Sequence, residues 1–501
     1  MALFFKTARI GNSTIPLNFH IVYFAVSRYT FNMTSAELSE LIATQRAFFL
    51  TGKTENIQFR KQQLFCLKNN LLKYQNEIQV ALAKDLRKSS EEAYITEFAL
   101  IIKEIDFLMR RISWWSKPKI QLPSFATFPG MNKIYSQPYG CVLVITPWNF
   151  PFQIPLIAVA SAISAGNCVI LKPSHHAQAS AQLLTTIIKE TFPQEQVAVV
   201  TGGNELHHSL LAQKYDFIFY TGGATAGKKI AEVAARTLTP VCLELGGKNP
   251  CIVDTTAEID SAAKRIIWGK LINSGQNCLA PDYVLVQADK RQELIEKLCF
   301  YMEQFYGNNP VAPDSTLTSI VNERHFFRLL NLANGNNPAN GVVITNNPTA
   351  QSYNKEALKI KPILLDSPER DAPVMQDEIF GPILPIIPYD QLEEAVSFIQ
   401  EKPEPLALYL FSQDKATQQL VVQHLRYGGG CINDTLLHAI TPHLPFGGTG
   451  HSGMGKYHGK AGFDTFSHQK SILSRFGKFD ADLRYPPYKD RTFNIIKKLL
   501  K

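Results

Sequence analysis

Gly275-Gln276-Asn277-Cys278-Leu279-Ala280-Pro281 sets one thiol among small and polar residues, where an electrophile has room to approach. A free cysteine has a pKa of about 8.5 and is mostly thiol at neutral pH, so a nucleophile here needs an activating base or a positive dipole. A candidate base lies upstream in Leu243-Glu244-Leu245-Gly246-Gly247-Lys248-Asn249-Pro250. Its flanking leucines would desolvate the carboxylate and raise its pKa toward the range of a general base. Each residue alone has a plainer reading: the cysteine as a small buried hydrophobe, the glutamate as a carboxylate paired within the fold.

Taken together and in this order, the two words resemble the aldehyde dehydrogenase superfamily. The resemblance implies that Cys278 attacks an aldehyde, that the resulting thiohemiacetal gives hydride to NAD or NADP, and that Glu244 activates the water that hydrolyses the thioester. It also implies an α/β fold with a Rossmann-type nucleotide-binding domain over 33–118 and 138–243 and an α/β catalytic domain over 244–455. A bridging β arm from 119–137 and 456–501 would join subunits, usually as homodimers.

Composition agrees with a large globular enzyme. The chain has 501 residues, 45% apolar and 19% charged, which by length predicts about three domains. No apolar run reaches the roughly 18 residues needed to span a bilayer. Part of the net charge of +8 sits at the ends, where Lys6, Arg9 and Arg28 lack acidic neighbours and Lys497, Lys498 and Lys501 close the chain. Nothing in it reads as a nucleic-acid code. Eight cysteines are scattered without Cys-x-x-Cys pairs, which predicts neither a metal site nor a disulfide scaffold and suits a reducing, cytoplasmic setting.

Residues 1–32 carry three basic and no acidic side chains and show no clean signal-peptide pattern. They are read as an N-terminal extension before Met33, with a targeting peptide as the alternative. From Ser35 to Trp115, apolar residues recur at three and four spacing, predicting successive amphipathic helices with Thr34 or Ser35 as the first cap. Gly140-Cys141-Val142-Leu143-Val144-Ile145 then reads as a buried strand, and Pro147-Trp148-Asn149-Phe150-Pro151 follows it. An amide at the carboxyl end of such a strand lies where doubly wound sheets place ligands. By resemblance, Asn149 is the side-chain donor to the developing oxyanion.

A second apolar strand ends in Leu171-Lys172-Pro173-Ser174-His175-His176. The resemblance places Lys172 at the adenosine ribose of the cofactor. Many NAD-preferring relatives have a glutamate where His175 stands, so NADP is expected to be accepted. Phe217-Ile218-Phe219-Tyr220-Thr221-Gly222-Gly223 and Gly227 form a strand, turn and helix start, which assigns Gly222 and Gly227 to the pyrophosphate, with Thr221 among the cofactor-binding candidates. A plain strand-to-helix turn would give the same pattern.

Further along, the stretch 333–354 reads as a loop-bearing insertion. Gln376-Asp377-Glu378-Ile379-Phe380-Gly381-Pro382 resembles the family word in which Glu378 binds the nicotinamide ribose and Phe380 packs on the nicotinamide ring. Asn433 and Phe446, in glycine-rich turns, are expected to line or support the cleft, while Trp268, Phe152 and Tyr94 are either tunnel walls or core. Tyr457-His458-Gly459-Lys460, Phe463–His468 and Arg484-Tyr485-Pro486-Pro487-Tyr488 narrow the resemblance to a class 3-like branch acting on fatty, medium-chain and aromatic aldehydes, coniferyl aldehyde-type included. A CoA-acylating dehydrogenase and a non-catalytic paralogue are the alternatives; the presence of Glu244 argues against the first, and Cys278, Glu244 and Asn149 together argue against the second. The basic tail after 488 is too short to span a membrane; surface attachment is the alternative.

Overall fold

The computed structural model describes residues 33–124, 127–333, 338–344, 352–475, 485–487 and 490–499. The extension at 1–32 lies outside the described residues, as do Arg484 and Tyr488.

The amino-terminal helices form as their periodicity predicts: Ser35–Leu50, Ile57–Lys73, Gln75–Leu86 and Ala99–Trp115. Thr34 caps the first. Its hydroxyl accepts from the Glu37 N–H at 3.2 Å, while the Glu37 carboxylate accepts from the Thr34 N–H at 2.7 Å, which satisfies two otherwise orphaned donors. Leu38, Leu41 and Ile42 then pack on Leu143 and Ile145 of the first central strand. Burying each such side chain contributes about 1.5–3 kcal/mol.

Among the described residues, two parallel sheets dominate. The first runs in spatial order Gly453–Met454, Val241–Glu244, Phe217–Thr221, Cys141–Ile145, Cys168–Lys172 and Val197–Val199. All neighbours are parallel except Gly453–Met454, which pairs antiparallel with Val241–Glu244. The chain steps outward from Cys141–Ile145 through two strands and then crosses to that strand's other side at Phe217–Thr221. This reversal opens a crevice beyond the carboxyl ends of the strands, where doubly wound sheets bind ligands. Lys172, Thr221 and Glu244 each close a strand at that end.

The second sheet contains Val342–Ile344, Ile363–Asp366, Ile383–Tyr389, Tyr283–Gln287, Pro250–Val253, Ala407–Phe411 and Gly429–Ile432. One continuous apolar cluster contains Val144 and Phe219 of the first sheet and Val284 and Leu384 of the second. A correction applies to the stretch read as an insertion. Residues 342–344 are an edge strand of this sheet, antiparallel to Ile363–Asp366, while 334–337 and 345–351 lie outside the described residues. Three residues are too few to stand out among the surrounding Asn, Gly and Pro.

Lys119–Gln121, Gly130–Pro138 and Ser467–Arg475 form a separate antiparallel sheet. Ser467–Arg475 pairs with Gly130–Pro138 along its whole length. The sheet leaves Ile120 and Leu122 exposed.

Candidate active site

The nucleophile loop is built on three successive left-handed residues. Helix Ile259–Leu271 ends, and Asn273, Ser274 and Gly275 follow with φ of 55°, 53° and 73°. Such a conformation costs about 1–2 kcal/mol for each residue bearing a Cβ, so the surroundings must hold it. They do so with hydrogen bonds on every side. The Asn273 N–H donates to Glu92 Oε1 at 2.8 Å, and its side-chain amide donates to the Asn149 and Gln276 carbonyls at 2.9 and 3.0 Å. The Gln276 amide donates to the Ser319 carbonyl at 2.9 Å and its Oε1 accepts from the Val321 N–H at 2.9 Å. Just past the thiol, Asn249 Nδ2 holds the Cys278 and Ala280 carbonyls at 2.7 and 3.1 Å.

Cys278 is half-buried in the wall of a cavity of about 220 Å³. Trp268, Ile154, Leu436, Phe446 and Thr221 share that wall. Among the described residues, no Asp, Glu, Lys or Arg lines it. Burial, with the nearby charges of Glu378 and Glu244, pushes the thiol pKa well above its ordinary range. In this state Cys278 is a thiol, and an attack by its sulfur would require the proton to be removed.

Glu244 is buried at the carboxyl end of Val241–Glu244, in register with Thr221 on the neighbouring strand. Desolvation raises its pKa well above the ordinary carboxylate value, against lowering by Cys242, a Gly448 backbone N–H and the Lys456 charge. Its Oε2 has no hydrogen-bond partner. A buried, unsolvated carboxylate oxygen is a strong proton acceptor, as hydrolysis of a thioester demands.

Asn149 is buried, and its amide donates to the Gln276 carbonyl at 3.2 Å. An amide nitrogen carries two hydrogens, so one is left for a substrate oxygen. Cys278, Glu244 and Asn149 are thus gathered around one loop and the crevice.

Glu378 and Phe380 come to the same loop from the opposite sheet. A Cβ on Gly275 would lie 2.3 Å from the Gly381 carbonyl oxygen, so the two sequence words touch through backbone. Phe380 itself has φ of 51° and meets Trp148 edge-on at 5.6 Å. Burial raises the Glu378 carboxyl to about 8, with Asp282 adding to the effect and Lys248 and Lys270 opposing it. Its Oε1 is inaccessible and unpartnered.

The remaining cofactor candidates lie along the sheet's carboxyl edge. Lys172 is buried, which lowers its pKa, and its charge lowers those of His175, His176 and His207, for which burial is the first cause. The His175 and His176 rings stand 4.1 Å apart on the surface.

Two assignments change. Gly222 donates its N–H to the Glu244 carbonyl at 3.0 Å and Gly227 donates to Gly223 at 3.1 Å, so neither N–H is free for a phosphate. What the glycines supply is closeness: a Cβ on Gly227 would fall 2.6 Å from Leu245 Cδ2, which lets helix Ala224–Arg236 approach the sheet. The free donors are the first-turn N–H groups of that helix, capped by Gly223 without a side-chain bond. Thr221 lies on the Cys278 cavity wall, and its Oγ1 is buried and unpartnered.

These features fit a dinucleotide. The open helix N-terminus, the buried Lys172 and the unpartnered oxygens of Thr221 and Glu378 are the groups such a ligand would satisfy. Among the described residues no group of three or more His, Cys, Asp or Glu is placed to hold a metal ion.

Some contributors were not visible in the sequence. Glu92 and Asn273 brace the loop. Asn249 does so too, although it stands in the quoted Leu243–Pro250 word. Lys270 is wholly buried and unpartnered, with a pKa drawn down to about 8 by burial. Of the aromatic pairings considered, Trp268 and Phe446 line the cavity, Phe152 is core, and Tyr94 stacks on Phe98 at 5.7 Å beside a separate groove. Asn433 supports rather than lines, its side chain exchanging bonds with the Ser412 backbone at 2.8 and 2.9 Å.

Known proteins share this chain's sequence and fold. The Aldehyde dehydrogenase family profile matches residues 27–472. The 4,4'-diaponeurosporen-aldehyde dehydrogenase of Staphylococcus aureus is 42% identical over 456 residues, covering 91% of this chain and 97% of that protein. The mouse dimeric NADP-preferring aldehyde dehydrogenase is 39% identical over 454 residues, covering 90% and 98%. A solved structure of the substrate-bound state of Staphylococcus aureus AldH superimposes with a TM-score of 0.88 at 41% identity, covering 93% of this chain and 99% of that one. The family model over 27–472 and relatives about 40% identical along nine-tenths of the chain show that the protein belongs to the aldehyde dehydrogenase family and is an oxidoreductase acting on aldehydes.

Proposed function

We propose that the chain oxidises an apolar aldehyde to the carboxylic acid by a covalent route on Cys278. The carrying observation is the pairing of a half-buried thiol in an apolar cavity with the buried, unpartnered Glu244 Oε2. Cys278 Sγ adds to the aldehyde carbon as its proton passes to solvent water, and the carbonyl oxygen takes the negative charge. Asn149 Nδ2 and the Cys278 N–H steady that oxygen. NAD or NADP, when bound, supplies the acceptor for the hydride lost from this adduct, leaving a thioester. Glu244 then takes a proton from water as the water oxygen bonds to the acyl carbon, the C–S bond breaks, and the thiol is restored on release of the acid.

Roles in holding the dinucleotide follow from position. Lys172 would meet the adenosine ribose, the Ala224–Arg236 N-terminus the pyrophosphate, Glu378 the nicotinamide ribose and Phe380 the ring. The basic surface of Lys172, His175, His176 and His207 offers no carboxylate to repel a 2′-phosphate, which supports acceptance of NADP. The mouse relative named NADP-preferring is consistent with that reading.

Apolar lining supports an aliphatic medium- or long-chain, or aromatic, aldehyde as substrate. Exposed Ile95, Leu437 and Ile440 belong to the same cavity wall, so an alkyl chain would stay in apolar contact on entering. The arm sheet, with Leu122 92% exposed, supports a homodimer. Eight free cysteines suit a reducing, cytoplasmic setting. No helix among the described residues is long and apolar enough to cross a membrane.

The test is formation of reduced cofactor by the purified protein with NAD or NADP and hexanal, benzaldehyde or cinnamaldehyde, beside Cys278→Ala. Turnover without CoA, lost in the variant, is expected. Turnover only on adding CoA would replace hydrolysis by acyl transfer, and no turnover with an unreactive Cys278 would leave a binding scaffold.

A further inference from the structure

Cys242 and Glu244 stand two residues apart on Val241–Glu244, so their side chains leave the strand on one face. The Cys242 thiol donates to Glu244 Oε1 at 3.5 Å. Both residues are buried, Cys242 completely. The space around the pair is closed by glycines. A Cβ on Gly447 would come 2.9 Å from Glu244 Oε1, and one on Gly455 would come 2.7 Å from Cys242 Sγ. The thiol is thus the side-chain donor to Oε1, with the Gly448 backbone N–H also acting on the carboxylate, while Oε2 has no hydrogen-bond partner.

We propose that Cys242 is a positioning residue for Glu244: its thiol holds Oε1, fixes the carboxylate rotamer and leaves Oε2 as the oxygen presented to the hydrolytic water. This rests on the reading of Glu244 as the base of thioester hydrolysis. The choice of a thiol has a chemical logic. A carboxylate inside an apolar shell needs a donor to keep one orientation, yet a strong donor would stabilise its charged form and reduce its basicity. S–H is a weaker donor than N–H or O–H, so it orients the carboxylate at a smaller cost in basicity than those donors would. Burial and the Glu244 charge hold the Cys242 thiol far above its ordinary pKa, so the S–H is present at every working pH.

The experiment separates acylation from hydrolysis. Rapid mixing of the full-length protein with hexanal and saturating cofactor gives a burst of reduced cofactor for acylation and a steady rate for hydrolysis wherever hydrolysis is slower. Cys242→Ala is expected to keep the burst and to lower the steady rate about five- to tenfold. The acid limb of that rate should move up by about 0.5–1 pH unit, because a donor to the charged carboxylate is lost. Cys242→Ser, which restores a donor, should recover most of the rate and return the limb toward the wild type. A Cys242→Ala profile superimposable on the wild type, or a Ser variant no better than Ala, overturns the proposal.

Glu244→Gln keeps the two readings apart. If it stalls after the burst while Cys242→Ala is unaffected, only the positioning role falls; if it turns over normally, the base reading itself falls. Should Cys242→Ala not fold, the infrared S–H stretch decides. A band absent from Cys242→Ser must shift in Glu244→Gln, and a band unmoved by that change overturns the contact.

Discussion

Asn149 and Asn273 brace each other across the nucleophile loop: Asn273 Nδ2 donates to the Asn149 carbonyl at 2.9 Å, and both amides converge on the Gln276 carbonyl at 3.0 and 3.2 Å. The proposed oxyanion donor is therefore held by the same carbonyl that shapes the loop before Cys278. Replacing Asn149 by Ala removes one donor and should lower kcat about 10²–10³-fold. KM should change far less, because the loss is confined to the transition state. Steady-state kinetics on a folded variant check this, and a loss confined to KM would contradict it.

Glu244 sets the expected pH dependence of hydrolysis. Its desolvated carboxyl titrates well above the ordinary 4.5, and only the charged form accepts a proton. The hydrolytic rate should fall as pH drops through that raised pKa, with an acid limb above the usual carboxylate range. In Glu244→Gln the limb should vanish along with about 10²–10⁴-fold of the rate. The rate of acyl-enzyme breakdown, followed over a pH series, decides.

Gly275→Ala should abolish activity by disordering the loop. The new Cβ would meet the Gly381 carbonyl oxygen at 2.3 Å and a second carbonyl, that of Lys270, at 3.1 Å, at a φ of +73°. Backbone lies on both sides, so neither neighbour yields cheaply. A melting temperature lowered by several degrees, together with lost Cys278 reactivity toward thiol reagents, is the expected pair of results.

Glu104 links stability to pH. Burial raises its carboxyl from 4.5 to about 7 in the fold, against a lowering bond from the Gly459 N–H. The folded state thus binds more protons than the unfolded chain between these values, and this group's contribution is fully present below pH 4.5 and lost as pH rises through about 7. The loss is on the order of 3 kcal/mol. Glu104→Gln should be the more stable protein at pH 8 and the two should converge in acid, as urea unfolding at several pH values would show.

His175→Glu should turn the cofactor preference toward NAD. A carboxylate at the edge of the Lys172 patch would repel a 2′-phosphate and accept from ribose hydroxyls, shifting the ratio of kcat/KM for NAD over NADP by about tenfold or more. An unchanged ratio would place the 2′-phosphate elsewhere.

Much of this site could be read before folding, for a local reason. The strands Cys141–Ile145 and Cys168–Lys172 are short apolar runs bounded by Gly, Asn and Pro, and the residues that close them, or follow within a turn, fall at the carboxyl edge automatically. Cys278, Glu244, Asn149, Lys172 and His175 were proposed by that local logic and by resemblance, and the fold brings them to the crevice and its carboxyl edge. Gly222 and Gly227 were misjudged for the converse reason. A glycine's spacing says that something approaches closely, and only the neighbouring Glu244 carbonyl and Leu245 side chain show what.

Residue order alone therefore determined the alternation of strands and helices, the family, and the candidates for the reacting groups, because these depend on periodicity and on words a few residues long. The tertiary structure decided how the groups meet. Glu92 to Asn273, Cys242 beneath Glu244, Gly381 against Gly275 and the unpartnered Lys270 are fixed by packing between segments far apart in the chain or by the closure of glycine backbone over a strand. Such contacts follow from the shape and desolvation of the assembled core, and no local pattern encodes them.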